Sequence, residues 1–151
     1  MATFYNKQHG EFSLIMNQDV VLTNAVGPWN LECIEQFGID YATSVYSAKV
    51  SRWADIIMLQ GESLLVPDAE KDLQVRIARA IETGLSHVAV VMCKSEVKTT
   101  AKLQMKRLYR NLPAELAFFE TVQEAIDWIT EHGYRCEAPV IEAFFDDAPK
   151  Q

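Results

Sequence analysis

Residues 53–85 constrain the fold more than any other part of the sequence, because they form a strand–loop–helix unit that the rest of the chain repeats. An apolar run at residues 54–59 predicts a buried strand, and residues 60–67 predict a polar loop. A helix then runs from Asp68 to the stop signal at Gly84. Since strands that alternate with helices form a parallel sheet covered by those helices, this unit predicts an α/β fold.

Similar patterns lie on both sides of this unit. Two strands near the N-terminus are so close in sequence that they can only form an antiparallel hairpin, which ends where Gly-Pro-Trp at 27–29 breaks the second strand. The predicted elements are strands 11–16 and 20–26, a helix capped by Asn30, the central unit, strand 87–93, a helix from Ser95 or Glu96 to about Asn111, strand 116–119, and a helix from the Thr121 capping box to Gly133.

This order, β-β-α-β-α-β-α-β-α, predicts a single α/β domain. Its sheet is mixed, mostly parallel and five-stranded, with an N-terminal antiparallel hairpin and four helices. We expect an N-terminal arm at 1–10, the domain at 11–135 and a C-terminal tail at 136–151.

Charge and composition exclude several functional classes. The net charge of the 151 residues is -7, which disfavours binding to nucleic acid or to an anionic membrane surface. No apolar run is long enough for stable membrane insertion, and the N-terminus has no signal-peptide pattern. Cys33, Cys93 and Cys136 are odd in number and widely spaced, which favours a reducing compartment without disulfides or a zinc site. We therefore expect a cytoplasmic protein.

Three sequence motifs add a family resemblance to this order of elements. Gly-Pro-Trp-Asn at 27–30, Trp-Ala-Asp at 53–55 and the segment 119–128 around the capping box are similar to those of a little-characterised bacterial SpoIIAA-like group. Over residues 11–134 the chain resembles STAS domains and, more distantly, SEC14-type lipid-binding domains. The resemblance implies a SpoIIAA-like fold and a non-enzymatic regulatory or protein-interaction module.

The same resemblance indicates where a regulatory phosphoserine would lie. STAS anti-sigma-factor antagonists carry it at the start of the helix after the third strand, within an Asp-Ser-Ser/Thr-Gly-Leu pattern. Here Asp68 matches the acidic position, but Ala69 replaces the hydroxyl and Glu70 follows. We predict that this phospho-switch is absent, and Ser63 is the only hydroxyl nearby.

Two surfaces are candidates for binding a protein partner. The predicted loop with Gly61, Glu62 and Ser63, together with Asp68, follows a strand at the sheet edge where α/β proteins bind ligands. The third helix carries a basic ladder, Lys94, Lys98, Lys102, Lys106 and Arg110, with Arg107 beside it. The alternative for each surface is an ordinary solvated loop or helix face.

No catalytic, metal or cofactor site is expected. Cys93 precedes a predicted helix N-terminus, a position that activates thiols, so an enzyme using Cys93 is one alternative. A buried structural cysteine is the favoured interpretation. His9, His87 and His132 show no spacing typical of metal ligands.

Another alternative is a SEC14-like carrier of a lipid or other small ligand, whose anionic head group would meet the basic helix. That function requires a cavity of several hundred cubic ångströms. We expect four helices packed closely on a sheet to leave no such room.

The remaining expectations concern burial. Trp29 and Trp53 are predicted to be buried and important for stability. The tail carries Val140, Ile141, Phe144 and Phe145, which have no evident place on the core, and the acidic residues Glu137, Glu142, Asp146 and Asp147. This combination predicts a homodimer in which each tail meets the partner's third helix.

Overall fold

The computed structural model describes residues 3–7 and 10–146. The strands are β1 Thr3–Lys7, β2 Gly10–Asn17, β3 Val20–Trp29, β4 Trp53–Leu65, β5 Leu85–Ser95 and β6 Glu115–Phe119. The helices are α1 Leu31–Ala48, α2 Pro67–Thr83, α3 Lys98–Leu108, α4 Val122–Glu131 and α5 Ala138–Asp146.

All strands join one sheet whose spatial order is the order of the chain, from β1 to β6. β1, β2 and β3 pair antiparallel, whereas β3, β4, β5 and β6 pair parallel. The predicted α/β order is therefore confirmed, with β1 added before it and α5 after it. No helix in the described part of the chain is long and apolar enough to cross a bilayer.

The two faces of the sheet are covered by different helices. Helices α1, α2 and α3 pack on one face, and α4 and α5 pack on the other. Successive side chains of a strand point to opposite faces, so Ile56 contributes to the α4/α5 core while its neighbour Ile57 faces α1 and α2.

Local signals for helix ends are confirmed. The Asn30 side chain accepts a hydrogen bond from the Cys33 amide at 3.0 Å, which caps α1. Thr121 and Glu124 form the reciprocal capping box of α4. Gly84 ends α2 with φ 148°, a conformation that favours glycine.

Strands β3 and β4 are longer than predicted. Residues 27–29 do not break β3, because the strand continues to Trp29, which pairs with Leu65. Residues 60–65 are not a loop but the second half of β4. A Cβ atom at Gly27 would clash with the Glu62 carbonyl oxygen, so glycine allows the close approach that keeps the two strands together.

The third helix is shorter than predicted. The expected start at Ser95 or Glu96 is wrong, because β5 continues to Ser95 and pairs there with Gly61. Helix α3 begins at Lys98 and ends at Leu108, before the expected end near Asn111.

The C-terminal tail does have a place on the core. Helix α5 buries Ile141 (0% exposed) and Phe145 (1% exposed) against the α4 side of its own domain. Phe144 is half-buried, and Val140 is exposed. The expectation that these side chains lack a site on the core is thus wrong for Ile141 and Phe145, and the homodimer, still a prediction, loses much of its driving force.

A polar contact also holds the tail to the hairpin. Glu137 and Asn17 exchange two hydrogen bonds of 2.8 and 3.0 Å, through the Glu137 amide and its carboxylate. Asp147, counted above among the acidic tail residues, and His9 lie outside the described residues.

Candidate functional site

A cavity of about 850 Å³ lies between α1, α2, α3 and the face of the sheet that they cover. This volume is within the range of natural small-molecule sites, so the expectation that the helices leave no room is wrong. The wall is mostly apolar, and its larger side chains are Trp29, Phe37, Val45, Ile57, Leu59, Leu73, Ile77, Met105 and Leu108.

Small side chains at facing positions explain why the cavity exists. Thr23 and Ala25 of β3, Gly38 and Ala42 of α1, and Ala80 of α2 all line it. A core reaches native density only when large and small residues interdigitate across an interface. Because three elements present small residues to the same space, the larger neighbours cannot fill it.

The cavity has a polar floor made of Tyr41, Trp53 and Asp55. The indole N–H of Trp53 donates to the Tyr41 hydroxyl oxygen at 2.8 Å, and that hydroxyl donates to Asp55 Oδ1 at 2.6 Å. Asp55 is only 4% exposed and lies near the start of β4. The floor therefore combines an acidic group with fixed hydrogen-bond donors in an apolar setting.

Burial controls the protonation of this floor. Loss of solvation raises the pKa of the Asp55 carboxyl to about 7, although the hydrogen bond from Tyr41 opposes the rise. Burial and then the charge of Asp55 raise the pKa of Tyr109, which also lines the cavity, well above its usual value. The Asp55 carboxyl is thus mostly uncharged when the pH is well below 7.

The cavity opens to solvent at a mouth formed by Tyr46, Lys49, Arg79 and Thr83. These exposed residues lie at the C-terminal ends of α1 and α2. Lys49 and Arg79 bring positive charge to the rim of a protein whose net charge is -7. The mouth is therefore locally suited to an anionic group.

Arg76 reaches from α2 to α1 beside this opening. Its Nε donates to Asp72 Oδ2 at 2.7 Å, one turn earlier in the same helix. A Cβ atom at Gly38 would clash with the Arg76 guanidinium. Arg76 of α2 therefore occupies the space beside Gly38 of α1.

The side chains that line the cavity can orient a bound molecule. Neither histidine nor cysteine occurs among the described residues that line the cavity. The carboxyl, phenol and indole of the floor can orient a polar group, whereas nucleophilic catalysis requires a nucleophile hydrogen-bonded to a base. The chemistry fits an apolar molecule with one or two polar groups.

The predicted partner-binding loop is part of a strand. Gly61 is buried in β4, Glu62 is exposed, and Ser63 is half-buried, with its hydroxyl 2.7 Å from that of Ser95. The polar residues of this segment suggested a loop, but their side chains form hydrogen bonds inside the sheet. The Gln60 amide, for example, donates to Asn24 Oδ1 at 2.6 Å.

The residues compared with the phosphoserine motif have structural contacts. Asp68 Oδ1 accepts from the Ala69 amide at 3.1 Å at the start of α2. Ala69 is completely buried. The Glu70 carboxylate accepts from both Arg107 and Gln104, at 2.6 to 2.9 Å, and so ties α2 to α3. Absence of a phospho-switch remains a prediction.

The basic ladder does not line the cavity. Lys98 pairs with Glu120 at 3.1 Å, and Lys102 lies over the Phe118 ring at 5.6 Å. Lys106 is exposed on the outer side of α3, and Arg110 is exposed in the turn after the helix ends. A head group bound at the cavity mouth would therefore not meet this helix.

Cys93 is exposed, so the expectation of a buried structural cysteine is wrong. The proposed activation by a helix N-terminus also fails, because α3 begins five residues later, at Lys98. Cys33 is the buried cysteine, and loss of solvation raises the pKa of its thiol to about 12.

Sequence reasoning missed the groups that the fold brings together. Asp55 was detectable as the one charged residue in an apolar run, but its partner Tyr41 lies on another element. His87 and His132 are 45 residues apart, and their ring centroids are 4.4 Å apart.

Trp29 and Trp53 are 6% and 1% exposed, which confirms their predicted burial.

Comparison with known proteins identifies the fold. No family model matches the chain, and no curated protein does. A solved structure from Shewanella loihica PV-4, described as an uncharacterised protein of the DUF3478 family with a SpoIIAA-like fold, aligns with a TM-score of 0.54 and 19% identity, covering 85% of this chain and 92% of that one. The resemblance derived from the sequence is thus confirmed at the level of architecture: the chain has a SpoIIAA-like fold.

Proposed function

We propose that this protein is a non-enzymatic binding module of SpoIIAA-like fold that holds one small amphiphile. The apolar part would occupy the cavity, and an anionic head group would lie at the mouth. The observation that carries this proposal is an apolar cavity of about 850 Å³ whose lining includes the exposed cations Lys49 and Arg79.

Physical chemistry favours a ligand in this space over an empty core. A large apolar cavity costs free energy through lost contacts, and filling it recovers about 25 cal/mol for each Å² of apolar surface removed from water. When the pH is below about 7, the protonated Asp55 carboxyl can donate a hydrogen bond to a polar atom inside the ligand. An anionic group deep in the cavity would suffer the same desolvation as Asp55, so it belongs at the mouth.

The first experiment measures binding of dodecanoate by calorimetry, with native mass spectrometry of the purified protein to detect any co-purified ligand. Ala80→Phe places a bulky ring in the cavity, and Val75→Phe adds a ring to the outer side of the same helix, where Val75 is 51% exposed. We expect one dodecanoate per chain, weakened at least tenfold by Ala80→Phe and unchanged by Val75→Phe.

A second pair of variants tests the position of the head group. Arg79→Glu reverses charge at the mouth, and Lys71→Glu reverses it at an exposed site of α2 away from the cavity. We expect only Arg79→Glu to weaken binding. Equal binding of dodecanoate and dodecylammonium would refute the anionic head group. Absence of any saturable binding would refute the proposal that the protein binds an amphiphile.

A second candidate is a protein-interaction module, favoured by the outer face of α3. Leu103 is 57% exposed there, beside the exposed cations Lys102 and Lys106. An exposed apolar side chain next to two cations suits an acidic partner that also presents an apolar side chain.

This candidate predicts that charge reversal on α3 abolishes a specific interaction. Binding partners captured from the source cell by the wild-type chain should be lost with Lys102→Glu/Lys106→Glu and retained with Lys71→Glu. A captured set that is identical for all three proteins would reject the α3 face.

A further inference from the structure

A second constellation lies on the opposite face of the sheet, at the amino ends of β5 and β6. His87 of β5 and Glu115 of β6 are paired in register, so their side chains lie side by side. His132 is the C-cap residue of α4, which packs on the same face. One donor atom from each of these residues lies within 4.8 Å of the other two.

The His87 ring is held in place, yet it has an unsatisfied nitrogen. The residue is 7% exposed. Its Nδ1 lies 2.6 Å from the Tyr134 hydroxyl oxygen. Its Nε2 lies 2.6 Å from Glu115 Oε2 but makes no hydrogen bond of acceptable geometry. Nε2 thus contacts the Glu115 carboxylate outside hydrogen-bonding geometry, and a cation placed between the two groups would be coordinated by both.

The His132 tautomer follows from its own hydrogen bond. Nδ1 lies 2.8 Å from the Trp128 carbonyl oxygen. A carbonyl can only accept, so Nδ1 carries the proton and Nε2 of the neutral ring has a free lone pair. Both imidazoles are thus oriented by a partner on Nδ1, the arrangement that fixes metal-ligating histidines in proteins.

We propose that His87, His132 and Glu115 bind a divalent transition-metal ion. Two imidazoles and one carboxylate match the ligand preference of Zn²⁺, and three protein ligands leave one tetrahedral position for water. Trp128 and Tyr134 act as positioning residues through the bonds described above. The partial negative charge at the C-terminus of α4 further favours a cation.

The surroundings place this site apart from the cavity. Arg52 donates to the His132 carbonyl oxygen at 3.3 Å and covers the Tyr134 ring at 4.0 Å, so it borders the site without supplying a ligand. None of the three donor residues lines the cavity. The metal would join the edge of the sheet to the end of α4, independently of the proposed amphiphile.

Zn²⁺ alone, added to the metal-free full chain at pH 7.5, tests the site by calorimetry, and Co²⁺ reports the ligands by visible absorption. We expect one ion per chain and a Co²⁺ spectrum without thiolate charge-transfer bands. His132→Ala and Glu115→Gln should each weaken binding at least tenfold. Tyr134→Phe removes only a positioning contact and should weaken it 10- to 100-fold.

Matched controls separate this site from the other potential ligands. His9→Ala removes the remaining histidine, and Glu131→Gln alters an exposed carboxylate next to His132. Cys93→Ser removes an exposed thiol. All three should bind Zn²⁺ like the wild type. Wild-type affinity no greater than that of His132→Ala, or loss of binding in Cys93→Ser, would overturn the proposal.

Discussion

The two faces of the sheet differ in how completely their helices fill the space against it. On the α4/α5 face, Ile129, Ile141 and Phe145 are almost completely buried. On the α1/α2 face, Phe37 and Leu73 are only half-buried because they border a cavity. A single sheet thus supports one face that is packed for stability and another that has room for a ligand.

Small residues on the covering helices contribute to this difference, together with Thr23 and Ala25 of β3. Strand β4 is apolar on both faces, as is typical of a central parallel strand. Helix α1 contributes Gly38 and Ala42 to the cavity lining, and α2 contributes Ala80. A continuous apolar strand therefore cannot show which of its faces is filled, whereas small residues on the covering helices can.

Removal of the C-terminal tail tests the packing of the α4/α5 face. It is expected to change stability more than any other variant discussed here. Truncation after Arg135 exposes the sites of Ile141 and Phe145, each worth about 1.5–3 kcal/mol when buried. We expect the free energy of unfolding in urea to fall by about 3–6 kcal/mol. Unchanged stability, with loss of a dimer in sedimentation, would instead favour the tail-mediated homodimer predicted from the sequence.

Two neighbouring isoleucines compare the faces directly. Ile56→Ala creates a new cavity in the packed α4/α5 face and should cost about 2–5 kcal/mol. Ile57→Ala only enlarges an existing cavity, so we expect about half that loss. Both variants share the same strand and the same substitution, and chemical denaturation measures both. Equal losses would show that the α1/α2 face is as well filled as the other.

The pH dependence of stability tests the polar floor. The folded-state pKa of Asp55 is about 7, above its ordinary value of 3.8. Between these values the folded protein holds a proton that the unfolded chain releases. The stabilisation is therefore complete below pH 3.8 and is lost as the pH rises to 7, by up to about 1.4 kcal/mol per pH unit.

Asp55→Asn isolates this contribution from those of other carboxylates. The stability of the wild type relative to Asp55→Asn should decrease between pH 4 and 7 and become constant above that range. Asp68→Asn, which alters an exposed carboxylate, is the control. A wild-type-minus-Asp55→Asn difference that does not change with pH would mean that Asp55 is ionised throughout.

The smallest effect is expected at Gly38. Alanine raises helix propensity by about 1 kcal/mol. The Arg76 guanidinium, which would be displaced, is the end of a flexible side chain. We therefore expect Gly38→Ala to raise the thermal midpoint slightly. A clear decrease would show that the contact between Arg76 and α1 matters for the α1/α2 face.

Local patterns were sufficient for the architecture. Periodicity and capping residues predicted all five strands of the original scheme and four helices, since Asn30, Gly84 and the Thr121 capping box act over a few residues. Errors occurred where distant partners decide the outcome. Strand β4 continues past Gln60 because Asn24 satisfies it, and α5 packs on the core because β3 and α4 provide a site.

The candidate sites were largely outside the reach of the sequence. A cavity depends on the volumes of side chains from four or more elements at once. The exposure of Cys93 depends on how far β5 continues before α3 begins. The proximity of His87, Glu115 and His132 depends on strand register and on the end of α4. Only Asp55, a charged residue in a buried strand, was a usable signal.

Methyl nuclear magnetic resonance of Ile56 and Ile57 during titration with dodecanoate tests the central claim most directly. We expect the Ile57 methyl signal to shift saturably with one ligand per chain, because Ile57 lines the cavity, while the Ile56 signal on the opposite face stays in place. Equal shifts of both signals, or a saturable shift confined to the exposed Ile39, would contradict the account.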